Sequence, residues 1–354
     1  MNEDSMKQSL QSVKWGILGT GTIAHQFVQQ LLQVPNIELV GVASRSLENA
    51  KKFAECYQTK AFETYEALCT TSDADVVYIC TPTRFHCEHA HLVLDNNKAV
   101  LCEKPFTCNQ KEVASVIEKA KAKQLFCMEA MWMRFNPYVQ KAKAIIASQE
   151  LGLLRTMHGE LGYQKDLKKL GTASHGQGAS LAFGCYLLSL SIYLFGKPQA
   201  VTANLIQNPQ GGDETGSVLI QYPDQVVSAF FSEAVTLSNE INIFAQHGCL
   251  KLNSPFIDAP SLNVVNLREL AARSASDKIR RKLSSLMSSV TKSLKRKKTL
   301  SSSGIGFQRE VQEVNKCLRN SLIESDIMPW SETLLIHEII DSILDTSEWR
   351  GEDS

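Results

Sequence analysis

A short segment near the N-terminus, Gly19-Thr20-Gly21-Thr22-Ile23-Ala24, constrains the fold more than any other feature of the chain. It follows the apolar run Val13–Leu18 and opens the amphipathic run Ile23–Gln33, so it joins a predicted strand to a predicted helix. In this G-x-G-x-x-A pattern the first glycine permits a tight turn and the second lets the backbone approach a pyrophosphate. The pattern therefore predicts a dinucleotide-binding βαβ unit whose helix N-terminus faces the phosphates.

The next hundred residues continue the alternation of short apolar runs with helical patterns. The predicted strands are Ile37–Ser44, Ala74–Cys80, Ala99–Cys102 and Leu125–Glu129, and the predicted helices between them are Leu47–Cys56, His86–Asn96 and Gln110–Lys123. Strands that alternate with helices of this length indicate a doubly wound parallel sheet covered on both faces. We therefore predict an α/β fold with a cofactor-binding Rossmann domain at residues 1–134.

After Phe135 the pattern changes. A connecting helix at Asn136–Ser148 is followed by five runs that are typical of strands, namely Thr156–Tyr163, Ala200–Gln207, Gly216–Gln221, Gln225–Ser232 and Ile241–Ala245. Successive strands joined by short turns favour an antiparallel sheet. The chain ends with helical stretches at Gln308–Arg319 and Ser331–Leu344. We predict a second domain at residues 135–354 for substrate binding and dimerisation, with a last helix able to pack back on the first domain.

Composition excludes several classes of protein. The 354 residues carry 37 basic and 37 acidic side chains, so no overall field favours a nucleic acid or a membrane as partner. The first 13 residues lack the apolar region of a secretory signal, and no run of about 18 apolar residues predicts a membrane span. The ten cysteines show no metal-ligand spacing. We expect a reduced, cytoplasmic protein without a bound metal.

One segment departs from this balance. Arg273–Lys298 has ten basic residues and a single acid, Asp277, and its apolar residues recur at spacings of three and four. This pattern favours a solvated surface helix inserted at about residues 270–303. The alternative is a patch that docks weakly on acidic lipids or on a partner.

The end of the second predicted strand bears on cofactor choice. It reads Val42-Ala43-Ser44-Arg45-Ser46 and lacks the acid that usually binds the ribose 2′-hydroxyl of NAD. The planar fork of Arg45 can bind a 2′-phosphate, and the hydroxyl of Ser44 can donate to it. The sequence therefore predicts NADP (NADPH), with a merely solvated Arg45 as the alternative.

Three further motifs resemble a known family. Thr81-Pro82 follows a predicted strand with His86 beyond it, Cys102-Glu103-Lys104-Pro105 follows the next strand, and Met128–Phe135 reads MEAMWMRF. With the glycine turn, they resemble the glucose–fructose oxidoreductase/inositol dehydrogenase (Gfo/Idh/MocA) family. The last motif and the tail Phe307–Ile343 resemble its subgroup of dimeric dihydrodiol dehydrogenases and NADP-linked D-xylose dehydrogenases. The resemblance covers nearly the whole chain except its first residues and the basic segment.

The resemblance implies a Rossmann domain followed by an α/β domain on an open, mostly antiparallel sheet. One face of that sheet often forms a dimer interface, so we expect a homodimer or a higher homo-oligomer. It also implies that the cofactor contacts the glycine turn, Ser44 and Arg45, and the two motifs after the next strands, namely Thr81, Pro82, His86, Glu103 and Lys104. A small-molecule substrate would lie beside the nicotinamide.

The same resemblance implies catalytic residues. Hydride transfer at a carbinol carbon requires proton exchange at the oxygen and stabilisation of the developing charge. Lys104 would polarise that oxygen, and Tyr186 aligns with the tyrosine thought to be the general acid/base, its pKa lowered by Lys104. Phe85, Trp132 and Arg134 would shape the pocket, with Trp132 stacking on a ring and Arg134 holding an oxygen-rich or anionic group. Core packing is the alternative for Trp132 and Phe85, and a structural histidine with satisfied hydrogen bonds is the alternative for His86.

One position departs from the family pattern. Relatives carry an aspartate four residues before the tyrosine, where this chain has Ala182. Asp166 or His175 could enter from the preceding loop. Two functions therefore remain open. The first is an NADP(H)-dependent oxidoreductase acting on a carbinol or hemiacetal of a sugar or cyclic dihydrodiol. The second is a catalytically impaired NADP(H)-binding sensor or regulatory protein.

Overall fold

The computed structural model describes residues 12–166, 176–268 and 305–351. Its N-terminal part contains a six-stranded sheet whose neighbouring strands are all parallel. In chain order the strands are β1 (Val13–Leu18), β2 (Ile37–Ala43), β3 (Ala61–Phe62), β4 (Val76–Ile79), β5 (Ala99–Glu103) and β6 (Cys127–Ala130), and across the sheet they run β3-β2-β1-β4-β5-β6. The strand order reverses between β1 and β4, which is where open α/β sheets bind their ligands.

Helices cover both faces of this sheet. They are α1 (Thr22–Leu31), α2 (Leu47–Tyr57), α3 (Tyr65–Thr71), α4 (His86–Asp95) and α5 (Gln110–Lys123). Because alternate strand residues point to opposite faces, Trp15 and Ile17 belong to a core with Phe27 of α1, whereas Val77 and Ile79 belong to one with α4 and α5. The predicted doubly wound parallel sheet is confirmed.

The second sheet has eight strands. They are β7 (Leu154–Gly162), β8 (Ala200–Gln207), β9 (Asp213–Gln221), β10 (Val226–Ser232), β11 (Ile241–Ala245), β12 (Gly248–Leu252), β13 (Leu262–Asn266) and β14 (Glu348–Arg350). Their order is β13-β12-β11-β7-β10-β9-β8-β14, and every neighbouring pair is antiparallel except β7 with β10. The mostly antiparallel sheet is confirmed. Three short strands, β12 and the two edge strands β13 and β14, were not predicted.

Four helices complete the described chain, namely α6 (Pro137–Ala147), α7 (Cys185–Phe195), α8 (Ile305–Arg319) and α9 (Trp330–Thr346). Helix α7 is buried along most of its length and follows a π-helical turn at Ser180–Gly184. Helix α8 packs against α1, and α9 packs against α5 and α7. A hydrogen bond of 2.8 Å from Trp330 Nε1 to the carbonyl of Cys127 fastens α9 to the first sheet.

The basic segment Arg273–Lys298 lies outside the described residues, so its predicted helix and its docking remain predictions. Within the described ranges, the helices are too short or too polar to cross a bilayer.

Candidate active site

A cavity of about 700 Å³ opens at the carboxyl ends of β4 and β5. Its walls are formed by α1, by the loops after β4 and β5, and by α7 and α8. The lining residues are Ile23, Gln26, Gln29, Gln30, Cys80, Thr81, Pro82, Thr83, His86, Glu103, Lys104, Trp132, Tyr186, Asp258 and Phe307. The cavity therefore brings together several residues that the sequence places far apart.

The glycine turn has the shape that its pattern predicts. Gly19 has a φ of +118°, and a Cβ there would lie 2.8 Å from the carbonyl oxygen of Cys80, so only glycine fits. Gly21 precedes the first residue of α1, and no side chain caps that helix. A Cβ on Gly21 would meet no atom within 4 Å. The turn thus leaves open space above uncapped helix amides, which is the arrangement that binds a pyrophosphate.

The end of β2 lies beside this turn. Thr20 Oγ1 donates to Ser44 Oγ at 3.1 Å, and the backbone amide of Arg45 donates to the Tyr65 hydroxyl at 3.1 Å. The side chain of Arg45 is exposed, and no acid among the described residues pairs with its guanidinium. Its charge is therefore available to a phosphate.

His86 holds the two loops that form the cavity floor. One ring nitrogen lies 2.7 Å from the carbonyl oxygen of Thr81 and the other 3.0 Å from that of Pro105, which follows Lys104 through a cis peptide. Burial lowers the pKa of His86, although both contacts oppose this effect. Because carbonyl oxygens occupy both ring nitrogens, His86 shapes the cavity by positioning its loops.

Lys104, Trp132 and Tyr186 meet at the centre of the cavity. Lys104 Nζ donates to the carbonyl oxygen of Ala182 at 2.9 Å and lies 4.5 Å from the centre of the Tyr186 ring. Trp132 Nε1 donates to the Tyr186 hydroxyl at 3.0 Å, and the Trp132 ring stacks on Phe307 with centroids 4.8 Å apart. A cation and a phenol are thus held within one small space.

The electrostatics of Tyr186 differ from the sequence-based expectation. The pKa of its phenol is raised well above the ordinary value, mainly because burial disfavours the phenolate, and the charge of Glu103 adds to the rise. The sequence predicts that Lys104 lowers this pKa. The pKa is raised in this arrangement, so that prediction is wrong. Tyr186 is a neutral phenol at physiological pH, with a proton to donate.

Ala182 lies in the π-helical turn that precedes α7, and its backbone carbonyl contacts Lys104. The alternatives considered for the missing aspartate do not fill this place. Asp166 does not line the cavity, and His175 falls outside the described residues. The acceptor that faces Lys104 here is therefore a main-chain oxygen.

Two predicted pocket residues lie elsewhere. Arg134 is fully buried and donates to Ser189 Oγ at 2.8 Å, to the carbonyl oxygen of Ile327 and to the carboxylate of Glu332. Phe85 stacks on the ring of His89. Neither lines the cavity. Since partners inside the protein satisfy the guanidinium of Arg134, we correct its expected role from substrate contact to structural ion pair, and we leave Phe85 out of the site.

Several residues that line the cavity were not predicted from the sequence. Gln26, Gln29 and Gln30 share one side of α1, at the three- and four-residue spacing that the sequence does display. Asp258 comes from a short turn after β12, and Phe307 from the start of α8. No local signal places Asp258 and Phe307 at this cavity, because the folding of the second domain brings them there.

Three buried acids lie behind Lys104 and Tyr186. Glu103 accepts from the Tyr78 hydroxyl at 2.5 Å, and Glu129 accepts from the amide of Phe106 at 3.1 Å. Glu310 of α8 is fully buried, with no hydrogen-bond partner for either carboxyl oxygen among the described residues. Burial raises the pKa of all three carboxyls, that of Glu129 to about 7. Glu129 is therefore partly protonated at neutral pH.

Glu129 yields a test of this layer. The pKa of Glu129 is higher in the folded protein, about 7, than in the unfolded chain, about 4.3. Protonated Glu129 therefore contributes its full share to the free energy of unfolding below about pH 4.3, and this share is lost as the pH rises through about 7. Glu129→Gln stays neutral and can still accept from the Phe106 amide. Between about pH 4 and pH 8, guanidinium denaturation should show the variant gaining about 3 kcal/mol relative to wild type. Exposed Glu118→Gln is the control, and an equal gain there would contradict the assignment.

Comparison with known proteins agrees with this geometry. The family model described as "Oxidoreductase family, NAD-binding Rossmann fold" matches residues 13–131, and the Gfo/Idh/MocA C-terminal domain model matches residues 139–251. Trans-1,2-dihydrobenzene-1,2-diol dehydrogenase of Bos taurus is 32% identical over 342 residues, covering 94% of this chain and 96% of that protein. The Homo sapiens protein of the same name is 31% identical over 341 residues, with the same coverage.

Solved structures share the fold. The aldose-aldose oxidoreductase of Caulobacter crescentus, complexed with glycerol, matches with a TM-score of 0.78 and 18% identity over 96% of this chain and all of that one. A 3-ketoreductase of Actinomadura kijaniata, in complex with NADP and TDP-benzene, matches with a TM-score of 0.77 and 19% identity over 94% and 96% of the two chains. The chain therefore belongs to the Gfo/Idh/MocA family of oxidoreductases, with a Rossmann domain of the NAD-binding type followed by the family's C-terminal domain.

Proposed function

We propose that this protein is an NADP(H)-dependent oxidoreductase that transfers hydride at a carbinol or hemiacetal carbon of a sugar or cyclic dihydrodiol. The observation that carries the proposal is the pairing of Lys104 and Tyr186 in a cavity that adjoins the glycine turn. The relatives named dihydrodiol dehydrogenase and the aldose-aldose oxidoreductase of the same fold support the substrate class. All ten cysteines are free, which supports a cytoplasmic location.

The cofactor half of the site is assigned to the first sheet. Gly19, Thr20, Gly21, Thr22 and Ile23 would hold the pyrophosphate against the uncapped amides of α1. Ser44 and Arg45 would bind the 2′-phosphate, and the loops carrying Thr81, Pro82, Glu103 and Lys104 would border the nicotinamide. The open space beyond Gly21 fits such a group, because a side chain there would fill it. When bound, the nicotinamide supplies or accepts the hydride.

The chemical half is assigned to Lys104 and Tyr186. The ammonium of Lys104 would bind the substrate oxygen and stabilise negative charge that develops there. The buried phenol of Tyr186 keeps its proton at neutral pH, so it would donate that proton to the oxygen as charge develops. This assignment favours reduction of a carbonyl by NADPH. Trp132 orients the phenol through its hydrogen bond, and its ring lies against Phe307 at the cavity wall.

The second candidate function rests on Ala182. Without the aspartate, the protein could bind NADP(H) and fail to turn over, as a sensor or regulatory protein would. The hydrogen bond from Lys104 to the Ala182 carbonyl favours the enzyme, because it keeps the ammonium next to Tyr186 without a carboxylate.

The enzyme and the sensor are separated by binding and turnover together. We expect NADPH binding in a fluorescence titration and turnover of at least one member of a panel of aldoses and dihydrodiols, including their keto forms. Tyr186→Phe should lower kcat about a hundredfold or more while leaving the Kd for NADPH nearly unchanged. Tyr138→Phe, on α6 and away from the cavity, is the control. Binding without turnover, unrepaired by Ala182→Asp, would contradict the enzyme and favour the sensor.

Cofactor preference tests Arg45. Because a 2′-phosphate would pair with its guanidinium, Arg45→Ala should raise the Kd for NADPH about tenfold or more and leave the Kd for NADH unchanged. Lys51→Ala, an exposed cation on α2, is the matched control for a general loss of positive charge. Parallel titrations with the two nucleotides decide the matter. An equal effect of Arg45→Ala on both would refute the assignment of the 2′-phosphate.

We also propose that the protein is a homodimer joined through the outer face of its second sheet. On this face Leu219, Phe230 and Phe244 are 52%, 43% and 47% exposed and project from neighbouring or nearby strands. Large apolar side chains aligned on one exposed face are typical of an interface between subunits. The second copy is the occupant that the family resemblance favours.

Sedimentation velocity tests this interface. The wild type should sediment with the mass of two chains, and Phe230→Glu should sediment as a monomer because it buries an unpaired charge at the interface. Leu322→Glu changes an exposed leucine in the loop after α8 and should leave the dimer intact. A wild type that is monomeric at micromolar concentration, or a dimeric Phe230→Glu, would contradict the proposed face.

A further inference from the structure

We propose that Asp213 is a positioning residue for Lys104, acting through the π-helical turn Ser180–Gly184. In this role it supplies indirectly the carboxylate support that the chain lacks at Ala182. The catalytic part of this inference rests on the proposed roles of Lys104 and Tyr186.

Asp213 fixes the start of the turn. It is the first residue of β9 and is 1% exposed, and its Oδ2 accepts the backbone amide of Ser180 at 2.6 Å. A carboxylate that accepts an amide at the N-terminal end of a helix forms a charge-assisted hydrogen bond, which is shorter and stronger than a neutral one. The helix that carries Tyr186 is thus anchored at its first turn to the second sheet.

The loop before the turn is shaped around the same carboxyl group. Gly178 has a φ of +114°, and a Cβ there would lie 2.3 Å from Asp213 Oδ1. Gly176 has a φ of +67°, and a Cβ there would lie 2.4 Å from the side chain of Thr83 in the cavity wall. The loop therefore passes between Asp213 and the cofactor-side loop with no room for a side chain at either glycine.

The turn transmits this anchoring to Lys104. In an α-helix the carbonyl of residue 182 would bond the amide four residues on, whereas a π-helical turn widens the spacing to five. In the structure that carbonyl accepts Lys104 Nζ at 2.9 Å, and the amide of Ala182 bonds the carbonyl of Gly178 at 2.8 Å. Ser180 and Ala182 are two residues apart in the same π-helical turn. Loss of the Asp213 contact would therefore displace the oxygen that holds Lys104.

The experiment measures the position of Lys104 without requiring turnover. The variants are Asp213→Ala, Asp213→Asn and the control Asp224→Ala, an exposed acid in the turn at the other end of β9. Each protein is reductively methylated with formaldehyde and borohydride, and the rate at Lys104 is read by mass spectrometry relative to other lysines. The Kd for NADPH, the KM and the kcat are measured in parallel.

We expect Asp213→Ala to speed methylation of Lys104 at least about threefold and to lower kcat about tenfold, since a charge-assisted hydrogen bond is lost. The Kd for NADPH should stay within about twofold, because the glycine turn that would hold the pyrophosphate is untouched. Asp213→Asn keeps one acceptor oxygen and should give an intermediate result, and Asp224→Ala should match the wild type. Because the rate at Lys104 is read relative to the other lysines, a general loss of stability would not produce this pattern.

If the Asp213→Ala variant folds and its Lys104 is methylated at the wild-type rate, the proposal is overturned. If that variant does not fold, Asp213→Asn decides, and wild-type methylation in it overturns the proposal equally. If the wild-type protein turns over no substrate, the proposed enzymatic function is wrong. The methylation rates at Lys104 still decide whether Asp213 positions that residue. The two failures are therefore distinguishable.

Discussion

The hydrogen bond from Lys104 Nζ to the carbonyl oxygen of Ala182 spans the two halves of the molecule. Lys104 follows β5 of the parallel sheet, and Ala182 belongs to the turn before α7 under the second sheet. The cavity exists because these two elements meet there. The contact also determines where the ammonium stands relative to Tyr186, so the proposed chemistry depends on a main-chain oxygen that no side-chain motif reveals.

Neighbouring residues fix the position of Lys104 and Tyr186 and the protonation state of the Tyr186 phenol. His86 joins the loops after β4 and β5, and Trp132 fixes the hydroxyl of Tyr186. Burial of the phenol raises its pKa, and the charge of Glu103 adds to this effect. A site of this kind is suited to giving a proton to an oxygen that gains negative charge, which is the need of a carbonyl reductase.

Much of the fold could be predicted because its signals are local. The glycine turn and the alternation of apolar runs with helices predict the first sheet, and the strand runs after Phe135 predict the second. Strands β12 to β14 were missed, and β14 in particular has only three residues and pairs with β8, which lies far from it in the sequence. Arg134 was misassigned because nothing near it in sequence indicates Glu332 or Ser189 as its partners. At position 182 the sequence shows alanine in place of the aspartate, but it does not indicate that the backbone carbonyl of this residue accepts a hydrogen bond from Lys104.

In this protein a backbone carbonyl takes the place of a carboxylate as the support of Lys104. A crystal structure of the NADPH complex is the decisive measurement. We expect Lys104 Nζ still to donate to the Ala182 carbonyl and the nicotinamide C4 to face the space between Lys104 and Tyr186. A nicotinamide bound elsewhere, or a Lys104 ammonium turned away from Ala182, would contradict it.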